Sequence, residues 1–290
     1  MTPKDIAFTV VLPGVIVAAF VLFGRAGGMR DDLRPRREVL SLVAAALAFI
    51  LGARFVLGHF GHLPPVAAEE WLFPLAAAWA ILSLPTFVRG SLPLQVALCV
   101  CFGACVALYP LKTALNSQID ASAARLGVGA VLALLVAIPM AASAIAATRA
   151  AHAGIAFSLL AAIAAGAPGL FFSSSLKLAQ VAGVLAVCAG VFAAAALVLR
   201  RWEISRGAAA LLAGLNATVW SFSYFYASAP RTAAILAALA PVAAAVGLIP
   251  ALERRPRLCA AMQILLAAAI AAAGTAIAFD AMPKDDDPYG

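Results

Sequence analysis

Long apolar runs, separated by short polar stretches, recur along all 290 residues of this chain. A membrane-spanning helix needs about 20 mostly apolar residues. By that measure the pattern predicts ten helices. They run from Ile6 to Gly24, Val39 to Gly58, Trp71 to Val88, Leu92 to Leu111 and Ala123 to Ala147, then Ala153 to Leu170, Leu176 to Leu199, Ala208 to Ala227, Thr232 to Ile249 and Leu258 to Phe279. The fifth is long enough to tilt, and Pro139 inside it predicts a kink. No soluble domain fits before, between or after these runs. The chain therefore reads as an all-α, polytopic membrane bundle, a single transmembrane domain over residues 1–290 ending in an acidic tail at 280–290.

The polar stretches carry direction. Short cytoplasmic loops are enriched in Lys and Arg. The loops after the first, third, fifth, seventh and ninth helices hold 13 of the 20 basic residues, including RAGGMRDDLRPRRE, RRWEISR and ERRPR. That side is expected to be cytoplasmic, which places both termini outside, as in a bacterial inner membrane. A cleaved signal peptide carries its positive charge ahead of the apolar run. Here Lys4 and Asp5 cancel and five arginines follow, so the first run reads as a retained helix.

An even number of helices divides into two halves of five, residues 1–148 and 149–279, and an odd count per half forces inverted orientation. Trp79 and Trp220 lie near the middles of helices three and eight. Each precedes an arginine at a loop (Arg89, Arg231) and a proline near the end of the next helix (Pro110, Pro250).

Composition narrows the solvent. With 65% hydrophobic residues, 11% charged residues and a mean hydropathy of +1.03, the chain holds less than half the roughly 25% charge of soluble domains. It could not cover a water-facing surface, so lipid is the expected partner. The net charge of +7 sits in orienting loops and does not point to nucleic acid. All five cysteines lie inside apolar runs. Cys101 and Cys105 share a helix face, but no His or carboxylate accompanies them, and packing is the better account.

From Trp220 the chain reads WSFSYFYASAPRTAAILAALAPVAAAVGLIPALERRPRLCAAMQILLAAAIAAAGTAIA. An aromatic helix beginning at a Trp precedes a Pro-Val-x-Ala-Ala helix, a Glu-Arg loop and a Gln-containing, Ala/Gly-rich last helix. Through Trp220, Tyr224, Pro241, Val242, Ala244, Ala245, Glu253, Arg254, Gln263 and Gly274, this stretch resembles the last three helices of the EamA-type drug/metabolite transporters. The resemblance implies a ten-helix, inverted-repeat transporter moving small metabolites through a central cavity.

Candidate chemistry is sparse. The loop GHFGHLPPVAAEEW holds His59 and His62 at one-face spacing and, beyond two prolines, Glu69 and Glu70. A zinc site wants three or four converging ligands, and the helical signature puts a glutamate between its histidines. The loop therefore reads as interfacial rather than as a metal site. Arg54, one turn inside the outer end of helix two, is costly in hydrocarbon and is expected to meet Glu70 or Glu69. Helix eight, GLNATVWSFSYFY, is the most polar segment in the membrane. Asn216, Trp220 and Ser223 share a face, and with Tyr224 and Trp79 they are the expected substrate-binding set. Gln95, Gln180 and Gln263 are single polar marks that read as packing. No Asp or Glu lies in mid-helix, no nucleotide loop or Ser/His/Asp arrangement is present, and no catalytic residue or cofactor is expected. Three readings compete, in this order: a transporter of small neutral or weakly polar solutes, a non-catalytic membrane subunit or scaffold, and an outer-face enzyme acting on lipid or metal.

Overall fold

A computed structural model describes residues 10–26, 34–58, 65–89, 91–119, 121–149, 154–173, 175–199 and 204–282. Among these the regular structure is entirely helical. The helices are α1 (Leu12–Ala26), α2 (Arg34–Leu57), α3 (Leu72–Arg89), α4 (Leu92–Leu108), α5 (Lys112–Gln118) and α6 (Ser122–Arg149). They continue with α7 (Gly154–Phe172), α8 (Leu176–Val198), α9 (Arg206–Tyr226), α10 (Arg231–Leu239), α11 (Pro250–Glu253) and α12 (Pro256–Asp280). Two 3-10 segments, Ala68–Trp71 and Ala240–Leu248, precede α3 and continue α10.

Among the described residues, seven helices are long and apolar enough to cross a membrane: α2, α6, α7, α8, α9, α10 with its continuation, and α12. The bent pair α4–α5 makes an eighth if it counts as one span. α1 and α3 fall on the first and third of the ten expected runs without adding to that count. The helices are compatible with an integral membrane protein. So is the surface, because α6 exposes Val131, Leu134 and Ile138 at helical spacing. A large continuous apolar surface of this kind is rare on soluble monomers.

α9 is the axis of the bundle. In its spanning window 94% is buried, although its hydropathy is the lowest of the seven. Those two facts share a cause: polar side chains are costly in lipid, so the helix that carries them is the one surrounded by protein. It touches α2, α3, α4, α6, α7, α8 and α10. Around it, α1 packs on α2, α4 on α6, α7 on α8, and α12 along α7. Small residues set the closest approach. A Cβ on Gly103 of α4 would collide with the Ala133 carbonyl oxygen of α6, so only glycine allows these two backbones to touch.

Two expected spans depart from a regular α-helix. α4 and α5 bend by 55° about Tyr109–Leu111. Pro110 has no N–H for the Val106 carbonyl, four residues back. The Leu111 N–H takes that oxygen instead at 3.4 Å, and the chain turns. In the ninth span the α-helix ends at Leu239 and tightens to 3-10 geometry around Pro241, which deprives the Ala237 carbonyl in the same way.

Candidate functional site

Both ends of α9 are tied down by named groups. At its start, Ser205 Oγ accepts the Ala208 N–H (3.1 Å). The Glu38 carboxylate, from the second turn of α2, accepts the Arg206 backbone N–H (3.1 Å) and its guanidinium Nε (3.2 Å). An anion at a helix N-terminus satisfies open donors and the helix dipole together. At its end, the Ser223 carbonyl accepts from both Ala227 and Ala229, and Ser228 takes a left-handed φ of 55° to close the turn.

The middle of α9 faces the span that tightens at Pro241. Asn216, 1% exposed, donates from Nδ2 to the Ala237 carbonyl at 3.0 Å. That is the carbonyl that Pro241 leaves open. Gln263 of α12, fully buried, donates from Nε2 to the Ala244 carbonyl within the 3-10 segment at 2.8 Å. Thr275, also of α12, donates to the Ala165 carbonyl (2.7 Å), three residues before Pro168 of α7. Each of these donors serves a backbone carbonyl in or beside a proline-disturbed helix.

Trp220 packs from α9 against α7. It is 1% exposed, and a Cβ added at Gly169 would lie 2.9 Å from its Cη2, one at Gly166 3.3 Å from its Nε1. The indole therefore lies flat on a glycine notch. Ser223, on the same face, is fully buried, and its hydroxyl has no partner. Asn216, Trp220 and Ser223 thus share one buried face, as their spacing predicts.

The other two members of the expected set lie elsewhere. Trp79 does not stand across from Trp220. Its Nε1 donates to the Gly207 carbonyl at 3.1 Å, and its ring meets Phe102 edge-on at 5.5 Å. Gly207 precedes Trp220 by thirteen residues, about 20 Å along the axis at 1.5 Å per residue. A buried indole N–H needs an acceptor, and the one it reaches is in the first turn of α9. Tyr224 is 37% exposed and packs edge-on against Phe225, away from the Asn216 face.

At the end of α2, Arg54 is half-buried in the last turn. Glu69 lies 4.0 Å from Lys177 of α8. Glu70 is buried and accepts the Val66 N–H at 2.9 Å, reaching back from the 3-10 turn that leads into α3 to the segment before it. His59 and His62 lie outside the described residues. Among the described ones, no three His, Cys, Asp or Glu side chains converge. Gln95 is buried with both amide atoms unpartnered, Ser41 and Ser143 are buried with unpartnered hydroxyls, and Gln180 is partly exposed.

The central face offers amides, hydroxyls and an aromatic plane, and no ionised group. It can hold a neutral molecule or brace a helix. Spacing alone could not pair Asn216 with Ala237; the signal was Pro241, whose missing N–H names the carbonyl that needs a donor. Compared with known proteins, the chain matches no family model, no curated protein and no solved structure.

Proposed function

We propose that this chain is an integral membrane protein that passes a small, neutral or weakly polar solute across the bilayer beside Asn216 and Trp220. The observation that carries this reading is a span that tightens from α to 3-10 geometry at Pro241, held by the buried Asn216 amide against the most polar and most buried helix of the bundle and by the Gln263 amide against α12. Solute sites in transporters are typically built where a spanning helix departs from regular α geometry, because irregular backbone is tolerated in a membrane only inside protein or against a cavity. The absence of an ionised group on that face favours neutral cargo.

The proposal includes ten spans in two inverted halves, with the arginine-rich loops in the cytoplasm and both termini outside. It takes from the EamA-type resemblance the expectation of a central path. What supports the halves is that α4 and α10 occupy the same place in each and are each followed by a short helix, α5 and α11, next to a proline. α12 packs along α7, whereas α6 and α1, their counterparts, have no comparable contact. The repeat would thus be one of topology more than of packing. An acid of the Glu69–Glu70 pair closing on Arg54 would then gate the outer end.

A scaffold is the second reading, favoured by the tight seating of Trp220 on Gly166 and Gly169. Flux separates the two. The purified chain in lipid vesicles should accelerate entry of uncharged solutes in a small-molecule panel, saturably. Trp220→Ala should remove at least nine-tenths of that flux while the protein still inserts. Flux indistinguishable from empty vesicles across the panel would favour the scaffold.

A further inference from the structure

The bend at Pro110 opens a groove of about 530 Å³ between α4, α5 and α6, within the roughly 300–1,000 Å³ range of small-molecule sites. Its floor is small and apolar, with Ala104 on α4 facing Gly129 and Ala133 on α6. A Cβ added at Gly129 would meet nothing within 4 Å, so the slot is open there. Its mouth is polar and basic, formed by Lys112, Asn116 and Arg125. The Arg125 guanidinium is aimed by two bonds, Nε to the Ile119 carbonyl (2.5 Å) and Nη1 to Asn116 Oδ1 (3.3 Å). Lys112 is exposed in the first turn of α5 and forms no ion pair among the described residues. Among the described residues that line the groove there is no Asp or Glu.

Depth decides what fits. Arg125 lies in the first turn of α6 and Ala133 eight residues further on, about 12 Å deeper along the helix. The cations therefore stand where the apolar span begins, at head-group level, and the slot runs from them into the hydrocarbon layer. Leu126 beside the mouth is exposed, so the groove opens on the surface that lipid covers. We propose that this groove binds one anionic phospholipid, with an acyl chain along Ala104, Gly129 and Ala133 and the phosphate at Lys112 and Arg125. Charge complementarity at the mouth favours an anionic head group, and the apolar slot favours a chain over a free anion. The site is separate from the Asn216–Trp220 face and does not depend on transport.

Native mass spectrometry of the full-length chain in a neutral detergent tests it, with phosphatidylglycerol, phosphatidylcholine of the same chains and glycerol phosphate added back in turn. A basic residue near an anionic surface is worth about fivefold in binding, so phosphatidylglycerol should bind about fivefold or more tighter than phosphatidylcholine. Lys112→Gln with Arg125→Gln should bring that ratio close to one. Gly129→Leu should lower binding of both lipids about tenfold while leaving the lipid-free melting temperature within a few degrees of wild type. Ala130→Leu serves if that variant does not fold. Equal binding of the two lipids to the wild type would overturn the proposal. So would retention of glycerol phosphate as firmly as phosphatidylglycerol, Gly129→Leu binding like the wild type, or the groove being covered by a second copy in a lipid-free dimer.

Discussion

At the scale of single residues, a proline and an amide act as a pair. The Ala237 carbonyl cannot receive an N–H from Pro241 and receives Asn216 Nδ2 instead. Hydrogen bonds between membrane helices are worth only about 0.6 kcal/mol on average, because a lost partner is usually replaced. Here the backbone has no replacement, so Asn216→Ala should cost nearer the roughly 1–3 kcal/mol of an orphaned buried acceptor. Pro241→Ala restores the N–H, and in that background Asn216→Ala should cost about 1 kcal/mol less, a coupling readable as a double-mutant cycle of unfolding in detergent. Additive costs would mean that the two residues act independently. The same cycle separates bracing from transport: flux lost in Asn216→Ala but recovered in the double variant belongs to the helix, not to contact with solute.

Between elements, the closest approach is α4 on α6. At Gly103 the neighbour is a backbone carbonyl, which cannot swing aside as a side chain can. Gly103→Ala should therefore cost toward the upper end of the roughly 1–3 kcal/mol for overpacking. Gly127, near the start of the same α6, has nothing within 4 Å of an added Cβ. Gly127→Ala should stabilise the chain by up to about 1 kcal/mol through helix propensity alone. Thermal unfolding of the two variants should move in opposite directions; a matching loss in both would mean that the α4–α6 seam does not depend on backbone contact. This seam also borders the groove at Pro110, so loosening it should weaken any lipid held there.

For the whole molecule, the charge distribution predicts an orientation. Thirteen of the 20 basic residues fall on one side of the expected topology, and each basic residue moved across during insertion opposes the positive-inside bias. With the native cysteines replaced, a cysteine introduced at Lys284 should react with a membrane-impermeant reagent added outside intact cells, and one at Arg36 only after lysis. The reverse pattern would turn the molecule over and place the basic groove mouth at Lys112 and Arg125 in the inner leaflet.

Class was legible in the sequence because it depends on sums. The apolar runs are long, the charges fall between them, and neither fact needs a partner residue. All the described helices except the short α5 and α11 overlap the expected runs. The shared buried face of Asn216, Trp220 and Ser223 was legible too, since helical periodicity alone puts positions 216, 220 and 223 together. Partners were not legible. Trp79 and Trp220 look equivalent along the chain, yet one indole bonds the first turn of α9 and the other rests on Gly166 and Gly169. Only the crossing of helices settles which carbonyl or glycine comes within reach. The breaks at Pro110 and Pro241 fall between these cases. Each proline names the carbonyl it orphans, but whether the chain bends, tightens to a 3-10 turn or borrows a donor from a neighbour depends on what packs beside it. α9 became the axis for the same reason: its polar groups could be satisfied only when other helices surrounded them.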